Sequence, residues 1–132
     1  MPLRDRPLPP RYLDDVEHLD GAARGELCLP RCGTCGREFW PAGPVCPRDG
    51  ARDVTWVTDP GTGAVTSWVR FHKRYYADDP VPYVVVQVTL DSGPRLTTSW
   101  AGESDPAIDQ RVAVRFRALG EDAVLPEFGP AA

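Results

Sequence analysis

Two short turns carrying metal-type ligands constrain this chain more than anything else in it. Cys32-Gly33-Thr34-Cys35-Gly36 is a C-x2-C followed by glycine, and Cys46-Pro47-Arg48-Asp49-Gly50 repeats the pattern with an aspartate in the last ligand position. A knuckle of this kind turns the backbone so that two side chains face one ion, and two knuckles joined by a short hairpin make a zinc ribbon. Residues 37–45 have the length of that hairpin. Zinc accepts a carboxylate oxygen at about 2.0–2.2 Å, so Cys32, Cys35, Cys46 and Asp49 make an acceptable Cys3Asp set. Cys28 is the rival fourth ligand, but an extended chain holds it about 13 Å from Cys32 and only a sharp bend at Pro30 would bring it in. Asp49 is therefore preferred. The competing reading is a degenerate ribbon that keeps the hairpin and has lost the metal. A redox C-x-x-C has less support, because no βαβ pattern surrounds it. Any zinc held here is expected to be structural, with no base nearby in sequence to work on a bound water.

The rest of the chain is punctuated by 15 prolines and 12 glycines among 132 residues, which suits short strands and turns. Val54, Trp56 and Thr58 alternate with Thr55 and Val57 before an Asp-Pro-Gly turn. Strands are also expected at 64–72, at 82–90 (the most apolar stretch and the expected central strand), at 95–100, at 111–117 and at 124–128. Asp91-Ser92-Gly93 marks a hairpin. Residues 11–23 form the one helix candidate, with Tyr12, Leu13, Val16 and Leu19 on one face and acidic residues in the early turns. His18 falls on or beside its polar face and is expected to be solvated. With no helical partner in the sequence, the helix must pack on the barrel or on another protein. The expected organisation is an N-terminal arm and helix over 1–25, a ribbon over 26–52, and a small five-stranded antiparallel barrel over 53–132. The order of strands fits an OB-like Greek key, although periodicity alone does not separate it from an SH3-like barrel.

Composition narrows the function. Lys plus Arg is 15 against 19 for Asp plus Glu, a net charge of -4, which is poorly matched to a phosphate backbone. No apolar run is long enough to span a bilayer. The N-terminal segment has charge but no apolar core, so no secretory leader is expected and the expected compartment is the cytoplasm. Unpaired thiols that favour a metal fit that compartment.

Taken together, CGTCGREFWPAGPVCPRDG, GTGAVTSWVRFHK, PYVVVQVTLDSGPRLTTSW and VAVRF resemble the zinc-ribbon OB-fold proteins associated with acyl-CoA metabolism. The resemblance covers residues 10–129. It implies a mainly β protein with an N-terminal helix, a rubredoxin-like ribbon and a C-terminal OB-fold barrel. It also implies a non-catalytic accessory subunit of a thiolase-fold enzyme: a thiolase, an acyltransferase or a steroid side-chain aldolase. The partner would carry the chemistry, in a heterotetramer with acyl-CoA at the shared interface. Two positions depart from the family pattern: Asp49 replaces its fourth cysteine, which puts the metal in question, and Gln110 replaces a glycine before the VAVRF strand.

Outside the ribbon the most suggestive run is His72-Lys73-Arg74-Tyr75-Tyr76. Cations bind phosphates and aromatic faces stack on a base, so the run is a candidate CoA or partner contact; a solvated loop is the plain alternative. Arg111, Arg115 and Arg117 alternate along one strand face, which reads more simply as solvent-facing than as a phosphate stripe. Of Trp40, Trp56, Trp68 and Trp100, any left exposed would mark a partner surface. Two other functions compete with the accessory subunit. One is a nucleic-acid-binding ribbon and OB module. The other is an independent zinc thioester hydrolase, which would need Asp49 swung away to open a metal position.

Overall fold

The computed structural model describes residues 14–75, 80–120 and 123–131. Helix α1 (Val16–Ala23) leads into strand β1 (Leu27–Cys32), the ribbon follows, and β2 (Val54–Asp59) returns alongside β1. Five further strands are β3 (Thr62–Phe71), β4 (Tyr83–Leu90), β5 (Arg95–Ser99), β6 (Arg111–Leu119) and β7 (Ala123–Pro130). They form one antiparallel sheet in the order β5-β4-β3-β6-β7. Its two edges meet: Trp100 and Phe128 form a parallel bridge, the Ala101 amide donates to the Phe128 carbonyl at 2.8 Å, and Thr98 donates to the Pro126 carbonyl at 2.7 Å. The result is a nearly closed five-stranded barrel with OB topology.

Alternation along the strands explains the core. Val65, Val86, Val88, Leu90, Leu96, Val112 and Phe128 all point inward and are almost fully buried. Leu27 and Leu29 of β1 belong to the same cluster. The stem of the ribbon is thus part of the barrel core, and each of these leucines contributes about 1.5–3 kcal/mol by leaving water. The strand expected at 54–58 is present, but it pairs with β1 (Leu27 opposite Asp59, Cys32 opposite Val54) and lies outside the five-stranded sheet.

The helix expected over 11–23 is observed from Val16, and residues 11–13 lie outside the described residues. It packs on β1 and β7. The buried face differs from the expected one: His18, Gly21 and Ala22 are buried, while Val16 and Leu19 are only half-buried. The reading of His18 as a solvated side chain is therefore wrong. Gly21 makes the difference, because a Cβ there would sit 2.5 Å from the Cys28 sulfur. The bare backbone lets the helix lie close on β1, and that approach carries His18 inward. Its Nδ1 is 2.9 Å from the Cys28 carbonyl, and its ring lies 4.2 Å from that of Trp40. Among the described residues no helix is long and apolar enough to cross a membrane.

Candidate functional site

Each knuckle of the ribbon closes on local hydrogen bonds. In the first knuckle the Gly36 amide donates to the Cys32 carbonyl at 2.9 Å, and the Cys35 amide lies 3.4 Å from the Cys32 sulfur. The second repeats the turn, with the Gly50 amide on the Cys46 carbonyl at 2.9 Å. Gly36 and Gly50 have φ of 77° and 72°, a left-handed conformation that a side chain resists, which is why glycine closes each knuckle. Asp53 pins the first knuckle through Thr34, whose hydroxyl donates to it at 2.9 Å.

These turns bring Cys32, Cys35, Cys46 and Asp49 together, with one ligand atom of each within 4.8 Å of all the others. A tetrahedral zinc with bonds of about 2.3 Å to sulfur and 2.1 Å to oxygen implies edges of about 3.8 Å between sulfurs and 3.6 Å from sulfur to oxygen. The Cys35 and Cys46 sulfurs are 3.9 Å apart, and the Cys32 sulfur is 3.7 Å from either Asp49 oxygen. The donor set fits the ion, and three thiols with a carboxylate are chemically suited to zinc. The Ala51 amide, donating to Asp49 at 2.9 Å, is the leading reason that this carboxyl stays below its ordinary range, ready to act as an anionic ligand. The Arg37 amide likewise draws the Cys35 thiol below its ordinary value. Cys28 takes no part. Its sulfur faces the helix, 3.8 Å from the Arg24 guanidinium and 4.0 Å from Glu26. Asp49 points at the other ligands, so the swung-away arrangement that a hydrolytic zinc would need is not the one observed.

A second feature was not legible in the sequence. One end of the barrel opens into a groove of about 900 Å³. Its walls include Tyr75, Tyr83, Trp100, Leu119 and Leu125, with Thr97, Thr98 and Ser99 also in the lining. Loop residues 102–105 fold over the Trp100 indole, which donates to the Ser104 carbonyl at 2.7 Å. A Cβ on Gly102 would lie 2.6 Å from that ring. Arg70 and Asp105, both in the lining, form an ion pair across the rim.

Of the run at 72–76, Tyr75 lines the groove, whereas His72, Lys73 and Arg74 are exposed beside it and Tyr76 lies outside the described residues. The Lys73 ammonium sits 5.2 Å over the Tyr75 ring, which meets Phe71 edge-on. The alternating arginines are exposed but engaged with their own chain. Arg111 grips Asp91 with two bonds of 2.8 and 2.6 Å, and holds that carboxyl down at about 2. Arg115 reaches the Ala101 and Pro130 carbonyls, and Arg117 lies 4.0 Å from Glu127. All four tryptophans are half-buried, and Trp40, Trp68 and Trp100 pack against the core.

Comparison with known proteins places these parts in one family. Residues 19–55 match the rubredoxin-like zinc ribbon domain of ChsH2, and residues 56–117 match its C-terminal OB-fold domain. A probable enoyl-CoA hydratase alpha subunit from Thermomonospora curvata is 34% identical over 128 residues. That alignment takes in 96% of this chain, and the chain spans 40% of that relative's length. Among solved structures, a chain described as Ltp2-ChsH2(DUF35) aldolase superposes with a TM-score of 0.87 at 31% identity, covering 95% of this chain and 100% of its own. A DUF35 protein of unknown function from Sulfolobus solfataricus shares the fold, with a TM-score of 0.62 at 12% identity over 90% of this chain and 86% of its own. The ribbon, the barrel that encloses its stem and the match along both identify this chain as a member of the ChsH2-type DUF35 family of zinc-ribbon OB-fold proteins.

Proposed function

We propose that this chain is a non-catalytic accessory subunit of a thiolase-fold acyl-CoA enzyme. The observation that carries the reading is the match across ribbon and barrel together to a ChsH2(DUF35) chain of an aldolase. The hydratase named for the longer relative is left with that relative, since only 40% of its length is matched here. In our reading the zinc held by Cys32, Cys35, Cys46 and Asp49 is structural. It neutralises the converging thiolates and ties the two knuckles together.

The groove is the surface we assign to the shared acyl-CoA channel. Aromatic and aliphatic walls suit an acyl-pantetheine arm, and an open end suits a channel completed by a partner. Tyr75 lines the groove and His72, Lys73 and Arg74 lie beside it; with Tyr76, the next residue in the chain, they are the side chains we assign to the CoA phosphates and adenine. Thiolase-fold enzymes dimerise, so a two-plus-two heterotetramer is the proposed assembly, with steroid side-chain degradation the first pathway to examine. A nucleic-acid role has less behind it, because Arg111, Arg115 and Arg117 already contact their own chain.

The deciding experiment is a tagged pull-down from the native host, with co-purifying chains identified by mass spectrometry. A stoichiometric thiolase-fold partner is the expected result. Elution alone, or with nucleic acid, overturns the proposal.

A further inference from the structure

Two carboxyl groups meet where the ribbon rests on the barrel. Glu38 lies in the ribbon hairpin, bridged to Arg31 of β1, and the next residue's amide donates to the Pro30 carbonyl at 3.0 Å. Asp59 ends β2 and is 5% exposed. It already receives two donors, the Gly61 amide at 2.7 Å on one oxygen and the Ser92 hydroxyl at 2.5 Å on the other. Glu38 Oε2 is buried, and among the described residues it is the buried side-chain oxygen that no conventional donor reaches. The Glu38 carboxyl meets the Asp59 carboxyl, with the Ser92 hydroxyl beside them both.

Two ionised carboxylates in contact repel, and a buried acceptor without a donor is costly. One shared proton removes both penalties. The surroundings decide which group holds it. Asp59 has two fixed donors that favour its anion, the Gly61 amide and the Ser92 hydroxyl; the Ser92 hydroxyl also lies near Glu38 and favours its anion, but it is given to Asp59. Burial, followed by the contact with Asp59, pushes the Glu38 carboxyl up to about 7. At Asp59 burial also works upward, but the bonds with Glu38, Ser92 and Gly61 outweigh it and hold that carboxyl below its ordinary value. The other charged groups facing the pair are Arg31, which favours the Glu38 anion, and Asp91, which opposes a charge on Asp59 and is itself gripped by Arg111.

We propose that Glu38 and Asp59 form a proton-sharing clasp that holds the ribbon hairpin on the barrel. The Glu38 O–H donates to the Asp59 carboxylate, and loss of that proton leaves two facing anions that loosen the hairpin. Because the folded chain binds this proton more tightly than the unfolded one, the stabilisation is complete below the ordinary glutamate value of 4.5 and is lost as pH rises through about 7.

The test is a carbon-detected NMR titration of side-chain carboxyls in the zinc-loaded full chain from pH 5 to 9. Glu38 is expected to titrate near 7 while Asp59 stays ionised; a Glu38 midpoint in the ordinary carboxylate range overturns the proposal. Denaturant unfolding then compares the wild type with Glu38→Gln, whose amide donates to Asp59 at every pH. His18 is present in both proteins and cancels. The wild-type folding constant relative to the variant is expected to fall at least about tenfold between pH 5.5 and 8.5; a flat ratio overturns the clasp. Where Glu38→Gln does not fold, Asp59→Asn must bring the Glu38 midpoint down toward its ordinary value. A midpoint that stays near 7 would mean that burial alone holds the proton, and would also overturn it.

Discussion

The ribbon and the barrel are neighbours stabilised in different ways. The barrel buries a contiguous set of aliphatic side chains around Phe128, and its hydrogen bonds run along whole strands, including β3 with β6, which are distant in sequence. The ribbon hides little beyond Phe39, Cys32 and Cys46, and its bonds close turns of a few residues. A region with so little apolar area has to draw its order from a metal, whereas the barrel has a core of its own. The difference teaches where each part is vulnerable: the ribbon to loss of one ligand, the barrel to loss of packing volume.

The sharpest way to break this contrast is to remove the metal. Cys46→Ser, or a strong chelator, is expected to unfold the ribbon. Structural zinc in small fingers is worth about 10–16 kcal/mol of apparent binding energy, so the loss should exceed any core mutation. Amide exchange should show residues 33–53 losing protection while β3, β4 and β6 keep theirs; uniform loss would mean that the two regions are one cooperative unit. Next in size is Phe128→Ala, fully buried and central to the barrel, at about 3–5 kcal/mol by denaturant unfolding. Zinc content should stay at one per chain in the folded variant, and release of metal would erase the distinction.

A smaller effect tests the helix that bridges both regions. Burial holds the His18 imidazole below its ordinary value, against the pull of the Cys28 carbonyl and Asp15. Its contribution is therefore present above pH 6.5 and lost as pH falls, by at most about 1.4 kcal/mol per pH unit. His18→Gln should flatten the acid limb of the stability curve measured above pH 5; an unchanged limb would assign it to other groups. The smallest effect is expected at Arg111→Ala. Its pair with Asp91 is exposed on both sides and screened by water, so the variant should unfold at close to the wild-type temperature.

What the sequence disclosed follows the range of the interactions concerned. The knuckles were legible because Cys32, Cys35, Cys46 and Asp49 are arranged by local turns, and spacing records local turns. The strands were legible from period-two burial, as at Val86, Val88 and Leu90. The partner of β2 was not, since its pairing with β1 spans the whole ribbon and leaves no mark in either segment. Nor was the fate of His18: a polar side chain on a helix face looks solvated unless Gly21 and Cys28 are known to touch. The groove and the carboxyl pair share this limit. Tyr83, Trp100 and Leu125 become neighbours only when the barrel closes, and Glu38 meets Asp59 only when the ribbon hairpin folds back on the β1–β2 stem.

The β1–β2 stem has a consequence for how such a protein can be altered. Cys32 and Val54 stand opposite one another, so the chain leaves the barrel and returns to it at a single doorway. Whatever lies between has its ends already joined, and lengthening it adds only about 0.6 kcal/mol of loop entropy per doubling. The ribbon is thus a detachable head on a fixed neck. Its knuckles, ligands and outward face can be exchanged with little consequence for the barrel, provided that Leu27 and Leu29 stay rooted in the core below and that Glu38 and Trp40 keep their contacts with Asp59 and the core.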